Sequence, residues 1–262
     1  MSRLLAEMTS PEVDQAIAAG ITTVILPLGA TEQHGPHLPL GTDTFRAAVL
    51  ADGLGAASTG TLVAPLLPVG CSDEHTGFAG LLSLDHETLA RVIVDCGNRM
   101  AAWGVRRLVL LSAHGGNDRA LELARAQLQE KAGELEVWVL GSSATLTEAL
   151  LSIAAADGIS AEALGLHAGE RETSEMLYLR PDLVHMDRAV AGYAGSMAEV
   201  LPRLRQRGVR EVTPTGTLGD PRAASARRGA AYLTTQIDSF CRMLLPERAD
   251  DEWPARAGTA GR

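Results

Sequence analysis

Four side chains able to ligate a divalent cation or move a proton fall within twelve residues. They are Glu32, His34, His37 and Asp43, in the stretch Gly29-Ala-Thr-Glu-Gln-His-Gly-Pro-His-Leu-Pro-Leu-Gly-Thr-Asp43. Glu32 and His34 are two apart, so an extended backbone points both the same way. Asp43 falls at the start of a predicted helix, where a carboxylate also meets the helix dipole. Carboxylate and imidazole together suit Zn²⁺, Mn²⁺ or Fe²⁺. A polar Gly/Pro loop with Asp43 as a plain helix cap would use the same residues.

A second group is Ser112-Ala-His114-Gly115-Gly116-Asn117. The glycines let backbone approach a ligand closely, and Asn117 could cap the following helix. A third is His167-Ala-Gly-Glu170-Arg-Glu172-Thr-Ser-Glu175-Met176. At helical spacing Glu172 lies four before Met176 and seven before Leu179, on the core-facing stripe. A carboxylate there is costly unless paired or bound to metal, so Glu172 is the ligand candidate and Glu170 the reserve. Arg171 and Glu175 read as an i,i+4 pair on the polar face. His167, just before the helix, is a candidate proton carrier.

These groups must be held by something. Apolar, β-branched runs at Thr22–Leu28, Thr61–Ala64, Arg107–Leu111 and Glu136–Leu140 alternate with helical patterns at 11–19, 43–57, 118–129, 146–156 and 168–179. Further helices end at Gly104 and run from about Ala226 to Leu244, and Ser10 reads as the first helix's N-cap. Alternation of this kind predicts an α/β fold, with a mainly parallel sheet covered on both faces. Ligands of such sheets sit at the carboxyl ends of the strands. Two of the three groups directly follow a predicted strand.

Composition narrows the chemistry. The chain has 262 residues, 46% hydrophobic and 3% aromatic, with a net charge of -9. That supports one domain over 1–246, with a flexible tail over 247–262. The acidic balance argues against a nucleic-acid partner, and no apolar run predicts a membrane span. A polar, acidic N-terminus and three scattered cysteines (Cys71, Cys96 and Cys241) predict a reducing, cytoplasmic setting without a signal peptide. Lys131 is the only lysine, in a polar stretch, so P-loop and Schiff-base chemistry are excluded as readings. No G-x-S-x-G elbow exists, and Gly53-Leu-Gly55 lacks the spacing of a dinucleotide fingerprint. A non-catalytic metal-binding or ligand-binding module is the competing class.

TEQHGPHLPLGTD, SAHGGN and HAGERETS, with Ser72-Asp-Glu-His-Thr-Gly-Phe-Ala-Gly80 and Gly216-Thr-Leu-Gly-Asp-Pro221, resemble the creatininase family of metal-dependent amidohydrolases. The resemblance implies a three-layer α/β/α fold and two metals. Glu32 and His114 would hold one, His34 the other, and Asp43 would bridge them. Where creatininase carries a further Glu ligand, this chain has Gly116; Glu172 is the residue expected to fill the vacancy. His167 matches the catalytic histidine. His37, His75, Gly115, Gly116 and Asn117 are expected near the substrate, the two glycines through backbone N–H groups. A hexamer is typical of the family. Its tryptophans around creatinine are replaced here by Ala144 and Ala163. The SDEHTGFAG and TGTLGDPRAA stretches resemble the branch that trims a precursor peptide in the mycofactocin system. A formamide hydrolase is a further possibility within the family.

Overall fold

The computed structural model describes residues 3–58, 60–131, 135–193 and 195–244; the expected tail at 247–262 lies outside them. Four strands form one sheet in the order β2-β1-β3-β4, with every neighbouring pair parallel. They are β1 (Thr23–Leu28), β2 (Thr61–Val63), β3 (Arg107–Ser112) and β4 (Glu136–Leu140). The helices are α1 (Ser10–Ala18), α2 (Thr42–Ala57), α3 (His86–Ala102), α4 (Asp118–Lys131), α5 (Ala144–Ala156), α6 (Ala161–Leu164), α7 (Glu170–Leu179), α8 (Met197–Arg207), α9 (Val209–Val212) and α10 (Ala226–Leu244).

Strand pleating divides the core in two. Val24, Leu26, Leu28, Leu108 and Leu110 face a cluster with Leu89 and Ile93 of α3 and Leu121 and Leu128 of α4. Ile25, Val109 and Leu111 face the other side, packing with Leu50 and Leu54 of α2, Leu150 of α5, and Tyr232 and Phe240 of α10. Because both faces are covered, the strands are apolar without alternation. This is the three-layer α/β/α arrangement that the strand–helix alternation predicts. Among the described residues no helix is long and apolar enough to cross a membrane.

The ends of several elements differ from the sequence reading. The cap of α1 is Thr9, not Ser10, because Glu12 reaches back to the Thr9 N–H at 2.7 Å and closes a capping box. Asn117 does not cap α4; its amide is used elsewhere, as described below. Helix α8 was not expected, since Pro202 sits inside it and an internal proline normally ends a helix. Its buried side, Val200 and Leu204, joins Val209 and Leu218 in a small separate cluster.

Candidate metal centre

The centre is built where β1 and β3 end side by side. Leu28 of β1 pairs with Ser112 of β3, so the loops leaving them start as neighbours. Gly29 has no side chain for a reason: a Cβ there would stand 2.6 Å from the Cα of Thr44. The loop therefore presses against the start of α2, bringing Glu32 and His34 beside Asp43. His114 follows β3 and is fixed at both ends of its backbone by Ser112, whose hydroxyl donates to the His114 carbonyl at 2.8 Å and accepts its N–H at 3.2 Å. His167 is held by an antiparallel bridge to Leu218, and Glu172 rises from the first turn of α7.

These side chains converge into two triads, Glu32–Asp43–His114 and His34–Asp43–Glu172, in which the donor atoms lie within 4.8 Å of one another. A third grouping joins Glu32, His34 and His167. Asp43 belongs to both triads and splits its oxygens between them. Its Oδ2 lies 3.2 Å from His114 Nδ1, and its Oδ1 lies 3.5 Å from His34 Nε2. Glu32 Oε2 is 3.3 Å from the His114 ring, and Glu172 Oε2 is 3.7 Å from His34 Nε2.

Hydrogen bonds on the far side of each ring determine which nitrogen faces inward. His114 Nε2 lies 2.8 Å from the Cys71 carbonyl, 3.2 Å from Ser72 Oγ and 3.3 Å from Glu32 Oε2, while its Nδ1 faces Asp43. His34 Nδ1 lies 3.3 Å from the Glu32 carbonyl, leaving Nε2 for Asp43 and Glu172. His167 Nε2 lies 2.7 Å from the Gln33 backbone carbonyl and 3.0 Å from the Gln33 side-chain amide nitrogen, and its Nδ1 lies 3.5 Å from Glu32 Oε1. Gln33 completes the set. Its Oε1 accepts from the Gly35 N–H at 2.8 Å, so its amide nitrogen donates to His75 Nδ1 at 2.8 Å. His75 Nε2 lies 3.3 Å from Glu32 Oε1, without closing a hydrogen bond to it. The His167 ring lies between His34 and His75, with centroid separations of 4.2 and 4.5 Å.

The charges of these groups depend on one another. Burial pushes the Glu32 carboxyl up, against the pull of His114. Burial also opposes ionisation of Asp43, but the His34 and His114 rings hold it well below the carboxylate range. Burial disfavours charged His34 and His114, yet Asp43 and Glu32 outweigh it and lift them to about 9 and about 10. Glu172 is held low, chiefly by Arg46, despite its burial. Burial and the neighbouring His34 push His167 down to about 3, and burial pushes His37 down to about 4. Both oxygens of Glu32, His34 Nε2 and Asp43 Oδ2 are buried without a hydrogen-bond partner. Buried, unpaired acceptors that demand positive charge fit a bound cation, which would displace the inward ring protons.

Other expected residues have more distant places. His37 is fully buried with Nε2 2.9 Å from the Thr173 hydroxyl. A side chain on Gly115 would meet nothing, whereas one on Gly116 would strike the Cys71 carbonyl and the His114 ring. Asn117 ties the loops together: its Oδ1 accepts from the Cys71 N–H at 2.9 Å, and its Nδ2 donates to the Gly29 carbonyl at 3.1 Å and to Ser112 Oγ at 3.2 Å. Glu170 turns away to Arg228 and Tyr232, at 2.7 and 2.8 Å. The expected Arg171–Glu175 pair does not form. Arg171 bonds Glu172 at 3.1 Å, and Glu175, fully buried, pairs with Arg46. Sequence reasoning missed Gln33 and Arg46. The signal for Gln33 was its place between two ligand candidates. For Arg46 it was a lone cation on an otherwise apolar helix.

A parallel sheet whose carboxyl edge carries two carboxylate–imidazole triads sharing one aspartate has the construction of a metal-dependent hydrolase. The comparisons give the family. The profile of the creatininase family, described as creatinine amidohydrolase, matches residues 6–244, and the chain belongs to that family. It is 39% identical over 223 residues to the mycofactocin precursor peptide peptidase of Mycolicibacterium smegmatis, covering 83% of this chain and 82% of that one. It is 33% identical over 264 residues to the creatinine amidohydrolase of Pseudomonas putida, covering 94% and 97%. A creatininase structure with Mn superposes with a TM-score of 0.73 at 30% identity, covering 94% of this chain and all of that one. A mutant creatininase of Zn-Zn type gives 0.71 at 28%, covering 94% and 99%.

Proposed function

We propose that this protein is a metal-dependent amidohydrolase that cleaves a C–N bond in a short peptide or small amide. In this reading Glu32, Asp43 and His114 hold one divalent cation, and His34, Asp43 and Glu172 hold the other. The observation that carries it is the set of buried, unpartnered polar atoms of Glu32, His34 and Asp43, residues that belong to the two triads. Zinc and manganese, the metals of the related structures, fit these donors, and iron fits the same set. Bound there, such cations polarise an amide carbonyl and make water acidic near neutral pH.

The chain's own groups supply the rest. His167 is neutral, with Nδ1 facing the site, so it takes a proton from the attacking water and returns it to the leaving nitrogen. Gln33 keeps that nitrogen unprotonated at rest by accepting from the other one through its carbonyl. In this reading the Gly115 and Gly116 N–H groups receive the developing oxyanion. A peptide substrate is favoured over creatinine by the stronger likeness to the precursor peptidase and by Ala144 and Ala163 at the expected tryptophan positions. A homo-oligomer in the cytoplasm completes the proposal.

The test is a substrate panel with and without chelator: peptides with free C-termini, creatinine and a formamide. His34→Ala is expected to lose both hydrolysis and bound metal, measured by mass spectrometry. Unchanged metal content in that variant, or hydrolysis indifferent to chelator, overturns the assignment.

A further inference from the structure

Two guanidiniums stand beside the centre, and Arg171 is the one without a carboxylate of its own. Arg46 bonds Glu172 Oε1 at 3.0 Å through Nη1, and its Nε pairs with the fully buried Glu175. Arg171 Nη2 shares the same Glu172 oxygen, at 3.1 Å. Glu172 Oε2 faces elsewhere, accepting from the Ala168 N–H at 2.8 Å and lying 3.7 Å from His34 Nε2. The bond to Glu172 is the only hydrogen bond of the Arg171 guanidinium among the described residues, and its Nε is buried without a partner. The Arg171 side chain still reaches the surface, 17% exposed, from the first turn of α7. The charge beside the other triad has the opposite sign: Glu74 Oε1 lies 4.0 Å from His114 Nε2, with its side chain 35% exposed.

We infer that Arg171 is a specificity-determining residue that binds a carboxylate on the leaving-group side of the substrate. The inference rests on the reading above, in which His167 returns a proton to the leaving nitrogen. Arg171 follows His167 on the same loop and first helical turn, so the leaving group is the part of the substrate turned toward it. One carboxyl group, that of Glu172, separates the guanidinium from the His34–Asp43–Glu172 triad. A carboxylate a residue or two beyond the scissile bond spans that gap, at roughly 3.5 Å per extended residue. A guanidinium matches a carboxylate in shape as well as charge, and this one has N–H groups to spare. Glu74 repels a carboxylate beside His114, so the two rim charges together fix the direction in which the substrate lies.

The experiment uses the metal-loaded protein and a panel of acetylated tripeptides, each offered with a free C-terminal carboxylate and as its C-terminal amide. Wild type is expected to favour the acid over the amide by about tenfold or more in kcat/KM, chiefly through KM. Arg171→Gln keeps a hydrogen-bond donor for Glu172 but removes the charge. It should cut that preference about tenfold, with bound metal unchanged by mass spectrometry. Arg171→Lys, which keeps the charge without the planar fork, should retain part of the preference. Equal hydrolysis of acid and amide by wild type, a preference that survives in Arg171→Gln, or metal lost from that variant overturns the role of Arg171. Failure of wild type to hydrolyse any peptide of the panel instead overturns the peptide substrate of the reading above, and the inference with it. Hydrolysis indifferent to chelator overturns the metal-dependent reading itself.

Discussion

Replacing Asn117 by alanine tests how the loops around the centre are held. The side chain is fully buried, and its amide is the partner of the Cys71 N–H and the Gly29 carbonyl, from two different loops. Alanine removes these bonds together with the one to Ser112 Oγ, and strands the Cys71 N–H and the Gly29 carbonyl. A stranded buried backbone group costs about 1–3 kcal/mol, so two give a loss of about 2–6 kcal/mol. That is a large share of the roughly 5–15 kcal/mol that holds a domain folded. The change also reaches the metal ligands, because the Cys71 carbonyl fixes the His114 ring. Asn117→Asp keeps the acceptor toward Cys71 but sets a carboxylate against the Gly29 carbonyl, so it is no rescue. The assay is equilibrium unfolding in denaturant, read on chelated protein so that lost metal does not enter the difference. Metal content is measured separately. A loss below about 1 kcal/mol would refute the reasoning, because one stranded group alone should cost that much.

Two further outcomes follow from the same contacts. Chelation should lower the melting temperature by about 5–10 °C, because saturating metal at a hundred times its dissociation constant adds about 2.7 kcal/mol; a thermal shift assay with and without chelator checks it. Tyr232→Phe should cost about 1–2 kcal/mol in denaturant unfolding by taking the donor from Glu170 Oε2, while Arg228 keeps Oε1, with metal content unchanged.

The apolar runs made the parallel sheet legible, and the position of Glu32, His34 and His114 after strands followed from it. Glu172 was legible because a carboxylate on an apolar stripe has to be accounted for. Arg46 and Glu175 were not, because their partners lie 129 residues apart in the chain and helical spacing offered Glu175 a nearer partner in Arg171. Asn117 resembled an N-cap by local pattern, and only the fold shows the two loops competing for its amide. Helix α8 was hidden by a proline tolerated because its apolar side is anchored on Leu218 and Val209.

Asp43 gives one oxygen to each triad, and this makes the two cations thermodynamically linked. Ordering the carboxylate for the first ion changes the free energy of binding the second. Reciprocity then requires the second to change the affinity of the first by the same factor. No substitution in one triad can therefore be read as local, since its effect on the other returns through the shared aspartate. The centre should behave as a coupled pair, so that loss of the cation from one triad shifts the affinity of the other.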